Sequence, residues 1–180
     1  MKRSVFGVMT IVVAAAFMML SGCVSTEEPA PADVVGYSEA GAPDPRLSRA
    51  FDSIGIKYTT NSSGNYIVSY QMENNPDRSH GVFVVSETQV YRGIEMREMW
   101  SVAAVLPSYP NEDIIRAMMS QNSTIKLGAW AIEASDEEVW IIYTIKVPAD
   151  QPAKDIANMI YFVAEICDEW EEEYIGDDIY

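Results

Sequence analysis

From Ile56 to Leu106 the chain passes through a succession of strand-like segments joined by turns, and this restricts the fold more than any other feature of the sequence. Ile56 to Thr60 and Asn65 to Met72 are rich in β-branched and aromatic residues and flank Asn61-Ser62-Ser63-Gly64, a pattern that predicts a hairpin. Asn74 to His80, with Pro76 inside it, reads as a polar turn, and Val82 to Ser86 as a buried strand. Ile94 to Leu106 could place Met96, Trp100 and Ala103 on one helical face, but it lies between strand-like neighbours and ends at Pro107, so the reading is a strand. A parallel pair needs a crossover of roughly a dozen residues or more, whereas hairpins pair antiparallel strands. The pattern therefore argues against a parallel, doubly wound sheet.

Helical periodicity brackets this region. Leu47, Ala50, Phe51 and Ile54 recur at three- and four-residue spacing and predict a short amphipathic helix ended by Gly55. Pro110-Asn111-Glu112-Asp113 introduces Ile114, Ile115, Met118 and Met119, a second helix with acids at its positive end. Two further strands, Thr124 to Glu133 and Val139 to Val147, are joined through Ser135-Asp136-Glu137, and Pro148 stops the second. Ile156, Met159, Ile160, Val163, Ile166, Cys167 and Trp170 then mark one face of a long helix, with Gly176 as its stop. The order α-β-β-β-β-α-β-β-α predicts an α+β domain over residues 46–180, an antiparallel sheet with helices packed on one face.

The N-terminus carries a different message. Lys2 and Arg3 precede an apolar run from Val5 to Leu20, which is shorter than the roughly 20 residues that span a bilayer as a permanent helix. Charge, apolar core, small residues and then a cysteine is the layout of a removable export signal. Leu20-Ser21-Gly22-Cys23 resembles the lipobox of bacterial lipoproteins. That resemblance implies signal-peptidase recognition of Leu20, Ser21 and Gly22, cleavage after residue 22, and lipidation of Cys23. Acyl chains buried at about 0.8 kcal/mol per methylene then hold the protein to a membrane. Val24 and Ser25 follow, with no Asp at the second mature position, and resemblance to enteric lipoproteins favours the periplasmic face of the outer membrane in a cell with two membranes. Residues 23–45 place Pro29, Pro31, Pro43 and Pro45 among small and acidic residues, a composition that predicts a disordered tether.

With 12 Lys and Arg against 27 Asp and Glu, the chain has a formal charge of −15, and loss of Lys2 and Arg3 with the signal makes the mature protein more acidic still. Such a surface repels phosphate backbones, which excludes nucleic acid as a partner. Once Cys23 is lipidated, Cys167 is the remaining thiol, so no disulfide can form within one chain, and its place beside the stripe of the last helix reads as a buried small hydrophobe.

Several short stretches, taken in order, carry a second resemblance. They are Gly64-Asn65-Tyr66, Val82-Phe83-Val84-Val85-Ser86, Trp100-Ser101-Val102-Ala103, and Gln121-Asn122 followed by Lys126-Leu127-Gly128-Ala129-Trp130. Val163-Ala164-Glu165-Ile166-Cys167-Asp168-Glu169-Trp170, running into Tyr174-Ile175-Gly176-Asp177-Asp178, completes the set. From about Leu47 to Tyr180 the chain resembles the YbjN family of bacterial proteins, which share the fold of type III secretion chaperones. The resemblance implies a secretion-chaperone-like domain that binds polypeptide segments, often as a homodimer, without enzymatic activity.

No catalytic constellation, cofactor motif or metal-ligand spacing is legible. His80 is the single histidine and reads as a loop residue beside Arg78 and Ser79, with no nucleophile placed against it. Asp168, Glu169, Glu171, Glu172, Glu173, Asp177 and Asp178 form a dense acidic run, but without the alternating ligands and turn glycine of a calcium loop. They read as a solvated helical face and acidic tail. Trp100, Trp130, Trp140 and Trp170 fall where core packing accounts for them, as do Met96, Met99, Met118 and Met119, although methionine-rich grooves also suit varied partners. The sequons at Asn61 and Asn122 carry no weight in a bacterial lipoprotein. The expectation is a lipid-anchored envelope protein whose domain binds another protein or a second copy of itself, the alternative being a glycan- or small-molecule-binding lipoprotein.

Overall fold

A computed structural model describes residues 41–73, 76–135 and 137–175. The chain forms α1 (Pro45–Ile54), β1 (Thr59–Thr60), β2 (Tyr66–Gln71), β3 (Ser79–Tyr91), β4 (Ile94–Leu106), α2 (Glu112–Asn122), β5 (Ala129–Ala134), β6 (Val139–Pro148) and α3 (Ala153–Tyr174). The strands make one antiparallel sheet in the order β1-β2-β3-β4-β6-β5. This is the α-β-β-β-β-α-β-β-α order and α+β class expected from the sequence.

α1 and α2 carry local caps. The Asp44 carboxylate accepts the Arg46 amide at 2.8 Å, Pro45 occupies the first turn, and Gly55 ends α1 at a left-handed φ of 75° that costs a residue without Cβ little. Asp44 and Pro45, read as the last of the tether, thus belong to the fold. Asn111 caps α2 by accepting the Ile114 amide at 3.0 Å. Gly176, the expected stop of α3, lies outside the described residues.

Tertiary pairing sets the strand limits. β3 begins at Ser79, inside the stretch read as a turn, and continues through the polar Glu87-Thr88-Gln89, because β4 supplies partners as far as Tyr91↔Ile94. Arg92 and Gly93, with φ of 50° and 82°, close that hairpin with the positive-φ pair that matches strand twist. β1 and β5 are shorter than their apolar patterns suggested.

Strand alternation delivers one face to the helices. Val68, Val82, Val84, Met99, Ile141, Tyr143 and Ile145 point toward Leu47 and Phe51 of α1, Met118 of α2, and Ile156, Ile160, Val163, Ala164, Cys167 and Trp170 of α3, forming one buried core. Each large side chain in it contributes about 1.5–3 kcal/mol by leaving water. Met159 and Ile166 flank this stripe half-buried.

A buried charge network ties α1 to the sheet where β3 and β4 change register between Val84 and Thr88. Arg97, 1% exposed, donates to Asp44 and to the carbonyls of Val85 and Ser86. Arg46 bridges Asp44 at 2.8 Å and Glu95 at 2.6 Å, and Thr88 donates to Glu95 at 2.7 Å. Burial alone would push the Asp44 carboxyl up, but hydrogen bonds from Arg46 and Arg97 outweigh it and hold the group below its ordinary value. The Arg46 hydrogen bond draws Glu95 down to about 2.

Candidate functional site

The same alternation that fills the core leaves the other face of the sheet without a helix among the described residues, and that face is strongly apolar. The cross-strand pairs Ile67↔Phe83, Phe83↔Trp100, Trp100↔Thr144 and Val102↔Ile142 place Ile67, Phe83, Trp100, Val102 and Ile142 on it, with Val105↔Trp140 extending it toward β5. Phe83 and Trp100 stack with ring centroids 4.2 Å apart and planes 9° from parallel, and Trp140 tilts toward Trp100 at 6.5 Å. All three rings are half-buried rather than enclosed. Ile67, Gly81, Phe83, Val102, Val105, Glu138 and Trp140 line an open groove of about 400 Å³. Gly81 opposite Ser69 leaves the groove wall low, since neither residue projects a large side chain.

Acid surrounds this apolar strip. Glu87 and Glu98 stand at one end, and Glu133 and Glu138 at the other. Glu138 accepts the Trp140 indole N–H at 2.6 Å, and Glu98 accepts the Thr144 hydroxyl at 2.6 Å, so two of the carboxylates orient the surface they border. Lys146, 3.7 Å from Glu98, is a cation among these acids.

The tryptophans therefore divide. Trp130 and Trp170 are core residues 5.5 Å apart, as expected, whereas Trp100 and Trp140 form part of the helix-free face, which corrects the reading of all four as core. The period-two spacing of Trp100 with Glu98 and Val102, opposite in phase to Met99 and Ser101, was the available signal. Met99 and Met118 are core, Met96 is half-buried, and Met119 is 63% exposed.

His80 is a second correction. It is fully buried in β3, pairs with Tyr70, and sets its Nε2 2.9 Å from the Val102 carbonyl. The acidic run is also split: Asp168 and Glu171 are buried on the inner side of α3, while Glu169, Glu172 and Glu173 are solvated. Arg78 joins them, its Nε donating to Asp168 at 2.8 Å and its Nη2 to Glu171 at 3.1 Å, and His80 Nδ1 lies 3.7 Å from Glu171. His80, Asp168 and Glu171 converge as a metal triad would, with potential ligand atoms within 4.8 Å of one another. The Arg78 guanidinium, however, already sets its positive charge against both carboxylates, so a metal ion there would meet like-charge repulsion and competition for their oxygens. What the guanidinium does is pin α3 to the start of β3.

Cys167 is fully buried as expected, and burial pushes its thiol well above the ordinary value. Asn61 and Asn122 serve the fold. Asn61 accepts the amides of Ser63 and Asn65 across the turn, and Asn122 accepts the Trp130 amide at 2.7 Å. Leu20, Ser21, Gly22, Cys23, Asp177 and Asp178 lie outside the described residues, and among those described no helix is long and apolar enough to cross a membrane.

No protein-family model matches this chain, and no curated protein matches it.

Proposed function

We propose that the protein is a lipid-anchored component of a bacterial envelope, held by Cys23, whose domain binds another protein without chemistry of its own. The observation that carries this reading is the helix-free sheet face with its stacked Phe83 and Trp100 and adjacent Trp140. Contiguous aromatic and aliphatic surface of that kind marks a binding region, and Trp is enriched where binding energy concentrates. The anchor frees the domain from contacting lipid itself, and the polypeptide-binding character implied by the YbjN resemblance agrees. The glycan reading predicts a closed pocket lined by tryptophan and tyrosine. Here the groove is open, and its lining includes Trp140 but no tyrosine.

The test is site-specific photo-crosslinking of the full-length protein in the native envelope. A benzophenone amino acid at Phe83 or Trp140 should give protein adducts that the same group at the exposed Asp150 does not. Equal labelling at all three positions would sink the proposal, and adducts with glycan alone would transfer it to the rival class.

A further inference from the structure

Resting on that reading, we propose the chemistry of the partner: a polypeptide segment with apolar side chains at its centre and lysine or arginine at both ends. The argument is the arrangement of charge around the apolar strip. Glu87 and Glu98 border it at one end and Glu133 and Glu138 at the other, so a bound segment meets a carboxylate pair at each of its ends after laying its centre over Phe83, Trp100 and Trp140. Lys146 already has a carboxylate neighbour in Glu98, 3.7 Å away, which leaves the rim acidic. Opposite charge at a rim steers encounter and selects the partner, while like charge across it is repulsive. A second copy of this chain would bring the same four carboxylates against these four, on a protein whose formal charge is −15. An anionic glycan or an acidic peptide meets the same barrier. A cationic segment meets only Lys146, which Glu98 already faces, and its apolar centre covers rings that are half-exposed to water.

The test uses the full-length protein in neutral detergent micelles and two fluorescein-labelled synthetic peptides that lack tryptophan. They share the apolar centre Leu-Val-Phe-Ile and are flanked by three lysines or three glutamates at each end. Fluorescence anisotropy against protein-free micelles should show saturable binding of the lysine-flanked peptide, weaker at high salt, and none of the glutamate-flanked one. Reversing the two solvated rim acids together, Glu87→Lys with Glu133→Lys, should weaken the lysine-flanked peptide about tenfold or more and strengthen the other, since exposed charges act through screened, additive attraction. Phe83→Asp should abolish binding of the lysine-flanked peptide. Because that variant can also disturb the sheet, the rim reversals, which leave the buried pairs untouched, are the decisive arm. Equal affinity for the two peptides, or no response to rim reversal, overturns the cationic assignment. It leaves the protein-binding face standing if photo-crosslinking at Phe83 still captures a protein. A salt-promoted dimer that dissociates on Phe83→Asp would assign the face to a second copy and overturn the proposal as well.

Discussion

Replacing Arg97 by Met tests how the front of the domain is held. The substitution keeps much of the side chain's volume but removes the buried guanidinium, which donates to Asp44 and to the carbonyls of Val85 and Ser86 at the register shift of β3. A hydrogen bond to a charged group contributes about 1.5–3 kcal/mol, and each carbonyl left without its donor about 1 kcal/mol or more. Asp44 keeps its contacts with Arg46 at 2.8 Å, so the full penalty of a stranded buried carboxylate is not incurred. The expected loss is about 3–5 kcal/mol, a large part of the roughly 5–15 kcal/mol that holds a domain folded. Urea unfolding of the full-length protein in neutral detergent, followed by tryptophan fluorescence, measures it directly. Asp44→Asn retains an oxygen to cap α1, so the double-mutant cycle with Arg97→Met isolates the pair, with an expected coupling of about 2 kcal/mol. A cost below about 1 kcal/mol for Arg97→Met, or a coupling near zero, would refute the claim that this guanidinium fastens α1 to the sheet.

Three further outcomes are expected. Glu95 has its folded-state pKa lowered to about 2 from 4.5, so its contribution is fully present above about pH 4.5 and is lost as pH falls toward 2; Glu95→Gln should flatten the acid limb of a stability-versus-pH curve in that window. Arg78→Met should destabilise by about 3–5 kcal/mol by leaving Asp168 and Glu171 buried without their shared cation, and neither zinc nor a chelator should move the melting temperature of the unmodified protein. Cys167 should resist maleimide in the native state and react stoichiometrically in urea, as read by intact mass, because burial raises its thiol pKa and closes access.

The parts of this fold legible in the sequence are those whose cause is local. The stripe of α3 announces itself through periodicity, Ile94–Leu106 through its strand-like neighbours and the Pro107 that ends it, and Asn111 and Gly55 through cap chemistry. What local reading missed is held by distant partners. Arg78, Ser79 and His80 look like surface in isolation, yet Arg78 meets Asp168 across a sequence separation of 90 residues. A trace was present: Arg78, His80, Val82 and Val84 share one phase of a strand, and Asp168 and Glu171 extend the helical stripe of Ile160, Val163, Ala164 and Cys167 at its own spacing. Charged residues in register with a core stripe are candidates for burial against each other. The helix-free face was harder to see, because an aromatic residue on either side of a sheet satisfies the same propensity.

The capping of α1 has a mechanical consequence. Any pull arriving along the chain from residues before 41 passes Gly41 and Ala42, which lie against Gly64, and reaches Asp44, whose carboxylate is clasped by Arg97 of β4 and by Arg46, itself linked to Glu95. The load is therefore shared across the β3–β4 ladder instead of peeling one helix from its end. With the proposed lipid anchor at Cys23, that force would meet β4, a central strand of the six-stranded sheet.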